Sequence, residues 1–462
     1  MGDNMLNINE ILEASKGKLV NGSKDYIVKN YSIDSRKINK EDFFIPIIGE
    51  TVNGHDYIIN CVKNEISGFF IASSEKKYDE IVMLAKNINS NINIIEVDDT
   101  LKALQSIGKL NKSKYPNMKT IGITGSVGKT STREMISYCL ETKYNIFKTK
   151  NNYNSEIGIP MMLLQLNGEE IAVLEIGIGN IGDMDKISEF LDLDIAVITN
   201  IGNSHIEYFK TRENILEEKF KITSLLKENG TVIVNLDDEY LKTKKYNKHT
   251  LKYYTSNEIS DLKYYEDKIE FKTKIYENEE LISINALGVH NIINSLCAIK
   301  VCEEFELTSQ DIKKGIANYR NFSRRLEIIK NKNGCTIIDD AYNASYESIK
   351  SGLETINNIS NKNKIVVLGD VLELGSNSET IHNNIGELFS HIKVNKLYLF
   401  GNESKYTENA AKKYINSENI KHFDNKEELI NTLKSNLDKN DLIYLKASNG
   451  MNFKYILDNI KD

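Results

Sequence analysis

Runs of apolar residues alternate with helix-like segments through the middle of the chain. The runs lie at 118–124 (MKTIGIT), 171–177 (IAVLEIG), 194–200 (DIAVITN) and 231–235 (TVIVN), and the segment 130–142 (TSTREMISYCLET) has a helical pattern. Continuous apolar runs are typical of parallel strands that are covered on both faces. The pattern therefore predicts an α/β fold with a mostly parallel sheet and helices on both of its faces.

A second series of the same kind begins after about residue 320. Its apolar runs lie at 335–340 (CTIIDD), 364–370 (KIVVLGD), 396–401 (KLYLFG) and 441–448 (DLIYLKAS), again with helical stretches between them. Right-handed crossovers turn such a series into a doubly wound, Rossmann-like sheet. We expect this second sheet to belong to a C-terminal domain.

The rest of the chain follows other patterns. The first 110 residues mix a helix-like start, the segment Tyr31–Arg36 and the strand-like Phe43–Ile48, and the polar stretch Leu110–Pro116 separates them from the first series. Residues 240–285 alternate Lys, Tyr and Glu, which favours a solvated antiparallel excursion at the edge of the central sheet, and a helix near 290–304 closes that domain. We expect three domains: a mixed α/β domain at 1–112, a central domain at 113–318 and the Rossmann-like domain at 319–462.

The composition narrows the class of protein. The chain has 462 residues with 40% hydrophobic and 27% charged positions, which is ordinary globular usage. A net charge of −7 does not favour binding along a nucleic-acid backbone, although a local basic pocket could hold a phosphorylated ligand. Five cysteines without a CxxC pair are expected to be buried thiols in a reducing compartment. With no signal-peptide pattern and no run of about 18 apolar residues, we expect a cytoplasmic protein without membrane insertion.

A glycine-rich sequence, ITGSVGKT at 123–130, lies between a strand-like run and a helix. Glycine N–H groups and a helix N-terminus form a nest for phosphates, in which Lys129 would reach the β- and γ-phosphates and the Thr130 hydroxyl would ligate Mg²⁺. The strict motif has glycine where Ile123 stands, and a chance Gly-Lys-Thr turn is the alternative. The flanking strand and helix favour a nucleotide site formed by Gly125, Ser126, Val127, Gly128, Lys129 and Thr130.

Two further polar residues follow later strands of the same series. Glu175 ends one apolar run, and His205 comes shortly after the run that ends at Asn200. The carboxyl ends of parallel strands open into the ligand crevice, so both residues are candidates for one magnesium–phosphate site. The alternatives are an exposed or capped strand-end carboxylate and an ordinary loop imidazole.

Together these residues resemble the Mur ligases, ATP-dependent enzymes that form amide bonds in peptidoglycan precursors. The resemblance covers essentially the whole chain and includes Gly122–Ser131, Asn151–Gly158, Glu175, Asn200–His205, Lys219, His290, Asn291, Arg325 and Asp339–Ala344. Within the family, three stretches look like the member that adds D-alanyl-D-alanine to UDP-N-acetylmuramoyl-tripeptide. They are Asp34–Arg36 with Phe44–Pro46, Asn53–His55, and Leu368–Gly375.

The resemblance implies that ATP phosphorylates the free carboxylate of the UDP-linked tripeptide and that the amine of D-Ala-D-Ala attacks the acyl phosphate. Lys129, Glu175, His205 and Lys219 would be the catalytic residues, and Thr130, Glu175, His205 and Lys219 would hold Mg²⁺. Lys219 would serve as a carbamate, which offers oxygen ligands. Without the family, its Lys/Glu-rich segment Glu217–Lys221 would be interpreted as a solvated ion-pair face of a helix, and Lys221 lies close by.

The resemblance also implies binding residues elsewhere. Ser131 would extend the ATP loop, Asn291 would lie on the adenine side, Arg325 at the phosphates, and Asp339 with Asn343 near the ribose. Asp339 could instead cap the next helix, and only one of Arg324 and Arg325 needs to act. The N-terminal domain would bind the UDP-sugar, and the C-terminal domain would close on ATP and the amine. The expected substrate contacts are Ser35, Arg36, Gly49, Glu50, Thr51, Asn152, Tyr153, Asn154, Lys446 and Ser448, with His55 as a weaker candidate.

The sequence departs from the family pattern at three places. Asn343–Tyr346 reads Asn-Ala-Ser-Tyr instead of Asn-Ala-Asn-Pro, Lys446–Asn449 reads Lys-Ala-Ser-Asn instead of Lys-Gly-Ser-Arg, and Lys210 replaces the usual glycine after Phe209. Loss of that arginine removes a fixed bidentate donor for a carboxylate or phosphate. A paralogue that adds another amino acid or dipeptide is therefore an alternative.

Other functions are also open from the sequence. Two other enzymes are alternatives, the ligase that adds the third stem-peptide residue and a folylpolyglutamate-type ligase. The stretch Asp370–Gly375 disfavours both. A nucleotide-binding switch or scaffold is the alternative from another class, but it would not need Glu175, His205 and Lys219 together. We expect a monomer that uses ATP and Mg²⁺ with UDP-N-acetylmuramoyl-tripeptide and D-Ala-D-Ala.

Overall fold

The fold is that of a computed structural model, which describes residues 5–49, 51–150, 153–202, 206–245, 248–321, 323–360, 362–435 and 437–461, without the side chains of 206 and 207. The chain divides into two compact units. The first comprises Met1–Arg133 and Lys143–Tyr253, and the second comprises Glu134–Thr142 and Tyr254–Asp462. Each unit is built of strands and helices in α/β arrangements.

The first unit begins with short strands and four helices. Its strands are β1 (Leu6–Asn7), β2 (Lys18–Asn21), β3 (Ile27–Val28), β4 (Asn30–Ser32), β5 (Asp42–Phe44), β6 (Gly68–Ala72) and β7 (Asn93–Val97). The helices are α1 (Ile8–Ser15), α2 (Ile58–Lys63), α3 (Tyr78–Ile88) and α4 (Thr100–Ser113). β1 and β3 pair antiparallel, and a five-stranded sheet has the order β2-β7-β6-β5-β4, with β2 antiparallel to β7 and the other pairs parallel.

Neighbouring apolar residues in these strands supply two separate cores. Phe43 and Phe70 pack on one face of the five-stranded sheet, while Phe44 and Phe69 pack on the other. This follows from the two-residue period of a strand, which sends successive side chains to opposite faces. The sheet is therefore covered on both sides. In the sequence, its short strands contain pairs of apolar residues instead of long apolar runs.

The central sheet of the first unit carries the nucleotide-loop sequence. Its strands are β8 (Lys119–Thr124), β9 (Ile146–Lys148), β10 (Ile171–Glu175), β11 (Leu193–Ile198), β12 (Leu226–Asn235) and β13 (Thr250–Tyr254), in the order β13-β12-β11-β8-β10-β9. The pairs from β12 to β9 are parallel. The helices along this part of the chain are α5 (Lys129–Leu140), α6 (Gly158–Leu163), α7 (Asp183–Ser188), α8 (Ile206–Phe209) and α9 (Arg212–Phe220), and α5 belongs to the second unit from Glu134 onwards. Since β8 lies between β10 and β11, the carboxyl ends of these three strands share one edge, where α/β sheets bind ligands.

The second unit contains a small antiparallel sheet and two helices before its larger sheet. The strands β14 (Ser260–Tyr264), β15 (Ile269–Ile275) and β16 (Asn278–Ile284) pair antiparallel, and α10 (Val289–Glu304) and α11 (Ser309–Asn318) follow. The expectation of a solvated antiparallel excursion at the edge of the central sheet for 240–285 was partly confirmed, because β13 lies at that edge and β14, β15 and β16 pair antiparallel. It was wrong in that these three strands form a sheet of their own, whose inward residues alternate with charged ones and are buried, as at Ile269, Phe271, Ile282 and Ile284.

The larger sheet of the second unit has six strands: β17 (Glu327–Lys330), β18 (Thr336–Asp339), β19 (Asn363–Gly369), β20 (Lys396–Phe400), β21 (Ile420–Phe423) and β22 (Asp441–Lys446). Their order is β17-β18-β22-β19-β20-β21, parallel except for β17 at the edge. The helices are α12 (Tyr346–Asn357), α13 (Ser378–Glu387), α14 (Ser404–Ala411), α15 (Lys426–Lys434) and α16 (Phe453–Ile460). The predicted Rossmann-like sheet is present, and the antiparallel β17 and the short β21 were not predicted.

Three further expectations can be compared with the fold. All five cysteines are buried free thiols, as predicted. The polar stretch Leu110–Pro116 is helical as far as Ser113, where α4 ends, and Asn111 donates its amide to the carbonyl of Leu163 at 2.8 Å. Within the described ranges, no helix combines the length and the apolar character that crossing a membrane requires.

Candidate active site

The glycine-rich loop is fixed by the two residues that follow the neighbouring strand β11. The backbone N–H of Val127 donates to Asn200 Oδ1 at 3.0 Å, and the Asn200 amide and the Thr199 hydroxyl both donate to the Val127 carbonyl, at 3.0 and 2.8 Å. Gly125 has a φ of 151°, and a Cβ built on it would lie 1.9 Å from Thr199 Oγ1. The position therefore requires glycine, as expected for a loop that follows a phosphate closely.

Lys129 and Thr130 begin α5 directly after this loop. Lys129 Nζ donates to the carbonyl oxygens of Gly125 and Ser126, at 2.7 and 3.5 Å, so the lysine lies over the nest. Burial lowers its pKa, although the charge of Glu175 acts in the opposite direction. The amino group lies where a triphosphate that binds the nest would meet it.

Glu175 ends β10 beside this helix start and is only 5% exposed. The Thr130 hydroxyl donates to Glu175 Oε2 at 2.9 Å, and the Asn154 amide donates to Oε1 at 3.0 Å. The alternative of an exposed strand-end carboxylate is thus wrong. Thr130 and Glu175 form a pair of hard oxygen donors beside the phosphate loop.

Arg133 is a site residue that the sequence reasoning missed. It is 5% exposed, and its Nη1 lies 3.4 Å from Glu175 Oε2. Residues three apart on a helix share a face, so the interval between Thr130 and Arg133 was the signal that could have identified it. The carboxylate of Glu175 is consequently surrounded by a hydroxyl, an amide and a guanidinium.

Lys219 is buried near the end of α9, at 1% exposed, in the unit that contains the phosphate loop. Burial is the main reason that its pKa falls to about 7, and the charge of Lys129 lowers it further. The interpretation as a solvated ion-pair face is wrong for this residue. A buried lysine of lowered pKa holds a large fraction of neutral amine near neutral pH, which is the reactive form of the group.

Lys221 takes the surface role that the sequence also allowed for Lys219. Its Nζ lies 2.5 Å from Asp185 Oδ2 and 2.8 Å from Glu218 Oε2. Glu218 accepts the N–H groups of Gly182 and Met184, both at 3.0 Å, at the start of α7. The Glu218–Lys221 pair therefore joins α9 to the loop that follows β10 and Glu175.

A second group of predicted residues lies in the second unit. Asn291 is fully buried and donates its amide to Leu287 O and Asn321 Oδ1, at 2.7 and 2.8 Å, while its Oδ1 has no hydrogen-bond partner. Arg325 lies over the ring of Tyr342, with the guanidinium carbon 4.5 Å from the ring centre. These groups remain candidates for binding the nucleotide.

Asp339 ends β18 and does not cap the next helix, because Ser345 is the N-cap of α12. Asp339 is fully buried, and burial raises its pKa to about 6 despite a hydrogen bond from the Ala341 N–H and the charge of Arg324. Its Oδ2 has no hydrogen-bond partner. Asn343 is exposed, and its Oδ1 accepts the N–H of Ala344 at 2.9 Å.

In the same unit, Lys446 is the last residue of β22, and Ser448 follows that strand. Lys446 Nζ lies 2.8 Å from Asp340 Oδ2, which also accepts the hydroxyl of Tyr444 at 2.9 Å. Ser448 Oγ accepts the N–H of Leu372 at 2.9 Å. Both side chains are thus fixed by residues that follow other strands of this sheet, Asp340 after β18 and Leu372 after β19.

The candidates for the UDP-sugar are mostly at the surface. Arg36 is 85% exposed in its side chain and forms a bidentate pair with Asp34, at 2.8 and 3.0 Å. Gly49 donates its N–H to Val52 O at 2.9 Å in the turn that contains Thr51, and Ser35 is partly exposed. His55 instead has a structural role, because it is buried with Nε2 accepting the N–H of Ala72 and Nδ1 2.8 Å from Asn53 Oδ1.

The remaining predicted site residues lie partly within and partly outside the described residues. Tyr153 lies beside Asn154 and is 36% exposed, and Ser131 follows Thr130 in the first turn of α5. Lys210 has a φ of 69°, a conformation that favours the glycine usual at this position. Glu50, Asn152 and His205 lie outside the described residues. Among those described, no three His, Cys, Asp or Glu side chains form a metal cluster.

Comparisons with known proteins identify the family of this chain. The Mur ligase middle domain family matches residues 123–302, and the family "Mur ligase, glutamate ligase domain" matches residues 324–449. The UDP-N-acetylmuramoyl-tripeptide--D-alanyl-D-alanine ligase of Bacillus subtilis (strain 168) is 35% identical over 457 residues, 97% of each chain.

Two solved structures share the fold. A crystal structure of MurF from Acinetobacter baumannii matches with a TM-score of 0.83 and 23% identity, over 99% of both chains. MurF ligase from Thermotoga maritima, in complex with ADP, matches with a TM-score of 0.74 and 24% identity, over 94% of this chain and 97% of that one. The fold, the phosphate loop with its paired Thr130 and Glu175, and a relative similar over nearly the full length lead to one conclusion: this chain belongs to the Mur ligase family.

Proposed function

We propose that this chain is an ATP-dependent carboxylate–amine ligase that joins D-alanyl-D-alanine to UDP-N-acetylmuramoyl-tripeptide through an acyl phosphate. The observation that carries the proposal is the arrangement of Lys129, Thr130 and Glu175 at the phosphate loop, in a chain 35% identical over 97% of its length to a ligase named for this reaction. ATP transfers its γ-phosphate to the tripeptide carboxylate, and ADP leaves. The dipeptide amine then attacks the acyl carbon, phosphate leaves, and an amide remains.

The chain contributes to the first step mainly by positioning and by charge. The N–H groups of the glycine-rich loop and Lys129 hold the β- and γ-phosphates, since phosphoryl transfer needs charge neutralisation more than covalent help. Asn154 and Arg133 fix the Glu175 carboxylate from two sides. The phosphates of ATP therefore bind beside side chains that are already oriented.

Mg²⁺ fits the donors at this site. Thr130 and Glu175 offer a hydroxyl and a carboxylate, and Mg²⁺ in nucleotide sites is commonly held by one or two protein oxygens together with phosphates and water. When bound, the ion would neutralise charge on the phosphates of ATP. His205 remains a proposed further ligand.

Lys219 is proposed to carry a carbamate. Its neutral amine would attack CO₂, forming an N–C bond and releasing one proton, and the product is an anionic oxygen donor. The buried position and the pKa of about 7 support this, because the reaction needs the unprotonated amine. The carbamate would replace a cation near Lys129 with an anion.

The remaining assignments follow the same proposal. Ser35, Arg36, Gly49 and Thr51, with Glu50, would bind the UDP-sugar, and Asn152, Tyr153 and Asn154 would face the tripeptide end. Asn291, Arg325, Asp339 and Asn343 would bind ATP, and Lys446 with Ser448 would line the amine site. We also propose domain limits at 1–112, 113–318 and 319–462. We further propose that the protein is a monomer and that it is cytoplasmic. The five free thiols support the location, because they suit a reducing compartment.

Phosphate release tests the proposal against a nucleotide switch. The purified chain is given ATP and Mg²⁺ with UDP-N-acetylmuramoyl-tripeptide, with D-Ala-D-Ala, with both or with neither. Sustained release that requires both substrates supports the ligase. Equal release in all four mixtures would support a switch and contradict the ligase.

A further inference from the structure

Arg324 has an unusual backbone in the segment between α11 and β17. Its φ is 62°, in the left-handed region that favours glycine, and Leu326 two residues later has a φ of 51°. A non-glycine residue in this region is strained, so other contacts must hold it there. One is the hydrogen bond from the Arg324 N–H to Glu327 Oε2, at 2.8 Å.

The guanidinium of Arg324 reaches across to the segment after β22. Its Nη1 donates to Asn449 Oδ1 at 3.0 Å, and its Nη2 donates to the carbonyl of Ala341. Its Nε lies 3.7 Å from Asp339 Oδ2, and neither of these two atoms has a hydrogen-bond partner. Because a guanidinium carries five N–H bonds, donors remain for a ligand. The hydrogen bonds fix the side chain, and its exposed fraction of 18% leaves it accessible to a ligand.

The contact with Asn449 is informative because of the residue that stands there. The resemblance places an arginine at position 449, where this chain has an asparagine. This Asn449 accepts a hydrogen bond from the guanidinium of Arg324. The nearby cation Lys446 is committed to Asp340, and Arg325 lies over Tyr342. Arg324 therefore brings a guanidinium to residue 449 from a different part of the chain.

We propose that Arg324 binds the C-terminal carboxylate of the dipeptide substrate, beside Asn449. This inference rests on the proposed function, because it assigns a residue to the amine substrate of that reaction. A carboxylate is recognised well by a guanidinium whose orientation is fixed, since two parallel N–H groups match its two oxygens. Hydrogen bonds to Asn449 and to the Ala341 carbonyl fix that orientation.

Two variants separate substrate binding from a structural role. Arg324→Gly removes the guanidinium and suits the left-handed backbone, and its combination with Asn449→Arg returns a guanidinium from the neighbouring position. Each variant and the wild type are assayed with D-Ala-D-Ala and with its C-terminal amide, D-alanyl-D-alaninamide. The KM values for ATP and the UDP-tripeptide and the unfolding temperature are measured in parallel.

We expect the wild type to prefer the free acid over the amide in kcat/KM, and Arg324→Gly to reduce this preference at least about tenfold through the KM for the acid. The KM for ATP should stay within about twofold, and the double variant should recover most of the preference. An equal loss for acid and amide would identify a structural role, and a loss confined to the KM for ATP would identify a phosphate contact. Either result overturns the inference while leaving the ligase intact. If the wild type forms no amide from either compound, the proposed function fails, and this inference fails with it.

Discussion

The Thr130 hydroxyl donates a hydrogen bond to Glu175 Oε2 over 2.9 Å and so joins the start of α5 to the end of β10. Both residues lie at the edge where the carboxyl ends of β8 and β10 meet. The same carboxylate receives the Asn154 amide at 3.0 Å and lies 3.4 Å from Arg133. A carboxylate with this many partners is held in one orientation before any nucleotide binds, which suits the proposed contact with a cation on the phosphates.

The first prediction concerns the charge of Glu175. Glu175→Gln keeps the size and most hydrogen bonds of the side chain, but it removes the negative charge that a cation at this site requires. We expect turnover to fall by at least about a thousandfold and the Mg²⁺ concentration for half-maximal phosphate release to rise. The measurement is phosphate release over a Mg²⁺ series. The exposed Glu228 provides the control, and an equal loss in Glu228→Gln would contradict a specific role of Glu175.

The second prediction concerns the conflict between stability and function at Lys219. Lys219→Met should abolish turnover and largely spare ATP binding, and it should raise the free energy of unfolding by about 1–3 kcal/mol, because a buried ammonium no longer has to be desolvated. Urea denaturation in CO₂-depleted buffer, together with the turnover assay, measures both effects. Lys221→Met is the matched control, since Lys221 pairs with Asp185 and Glu218 at the surface. Near-normal turnover in Lys219→Met would contradict the catalytic assignment.

The third prediction is a dependence on pH and CO₂. The pKa of Lys219 is lowered from 10.5 to about 7, mainly by burial, so the neutral amine is abundant above pH 7 and is lost as the pH falls below it. At a fixed, limiting CO₂ concentration, turnover should therefore fall as the pH drops below 7. In CO₂-depleted buffer, turnover should be low at every pH, and added bicarbonate should restore it most effectively above pH 7. A carbamate carbon should appear in ¹³C NMR of wild type incubated with ¹³C-bicarbonate and be missing in Lys219→Met. A wild-type spectrum without that signal at saturating bicarbonate would exclude the carbamate.

The fourth prediction concerns acid stability of the second unit. Glu266, between β14 and β15, lies 2.7 Å from Lys330 Nζ and 2.6 Å from Lys362 Nζ, and it accepts the Thr336 hydroxyl at 2.9 Å. Burial opposes its ionisation, but these three contacts outweigh burial and hold the pKa at about 2.

Because the folded-state pKa of Glu266 is lower than its ordinary value of 4.5, its contribution to stability is present above pH 4.5 and is lost as the pH falls towards 2. Glu266→Gln should lower the unfolding midpoint at pH 7, and the difference from wild type should shrink below pH 4.5. Thermal unfolding at several pH values measures this. The exposed neighbouring variant Asp267→Asn should behave as wild type. A constant difference for Glu266→Gln down to pH 2 would contradict the assigned charge.

The sequence predicted the parts of this protein that local pattern determines. Continuous apolar runs predicted the central strands, and the glycine-rich loop lies between a strand and a helix as expected, with Glu175 at a strand end beside it. Nucleotide binding by that loop stays a prediction. Lys219 was harder, because its helix is rich in Lys and Glu, and the local pattern does not show which of two lysines is buried. The family resemblance supplied that choice, and the burial of Lys219 agrees with it.

Contacts between distant segments could not be predicted from the sequence. Arg324 and Asn449 are 125 positions apart, and nothing in either segment indicates their hydrogen bond. The three-stranded sheet was interpreted as an edge excursion because its outward residues are charged, although its inward isoleucines form a separate buried face. Short edge strands such as β17 carry too few residues for a clear periodic signal.

The central claim is tested most directly by mass spectrometry of the reaction products. The purified chain is incubated with ATP, Mg²⁺, UDP-N-acetylmuramoyl-tripeptide and D-Ala-D-Ala, and the nucleotide-linked species and ADP are measured. The account predicts a new species heavier than the tripeptide compound by one dipeptide minus one water, with one ADP formed for each amide. ATP hydrolysis without a new amide, or an amide formed only with a single amino acid, would contradict it.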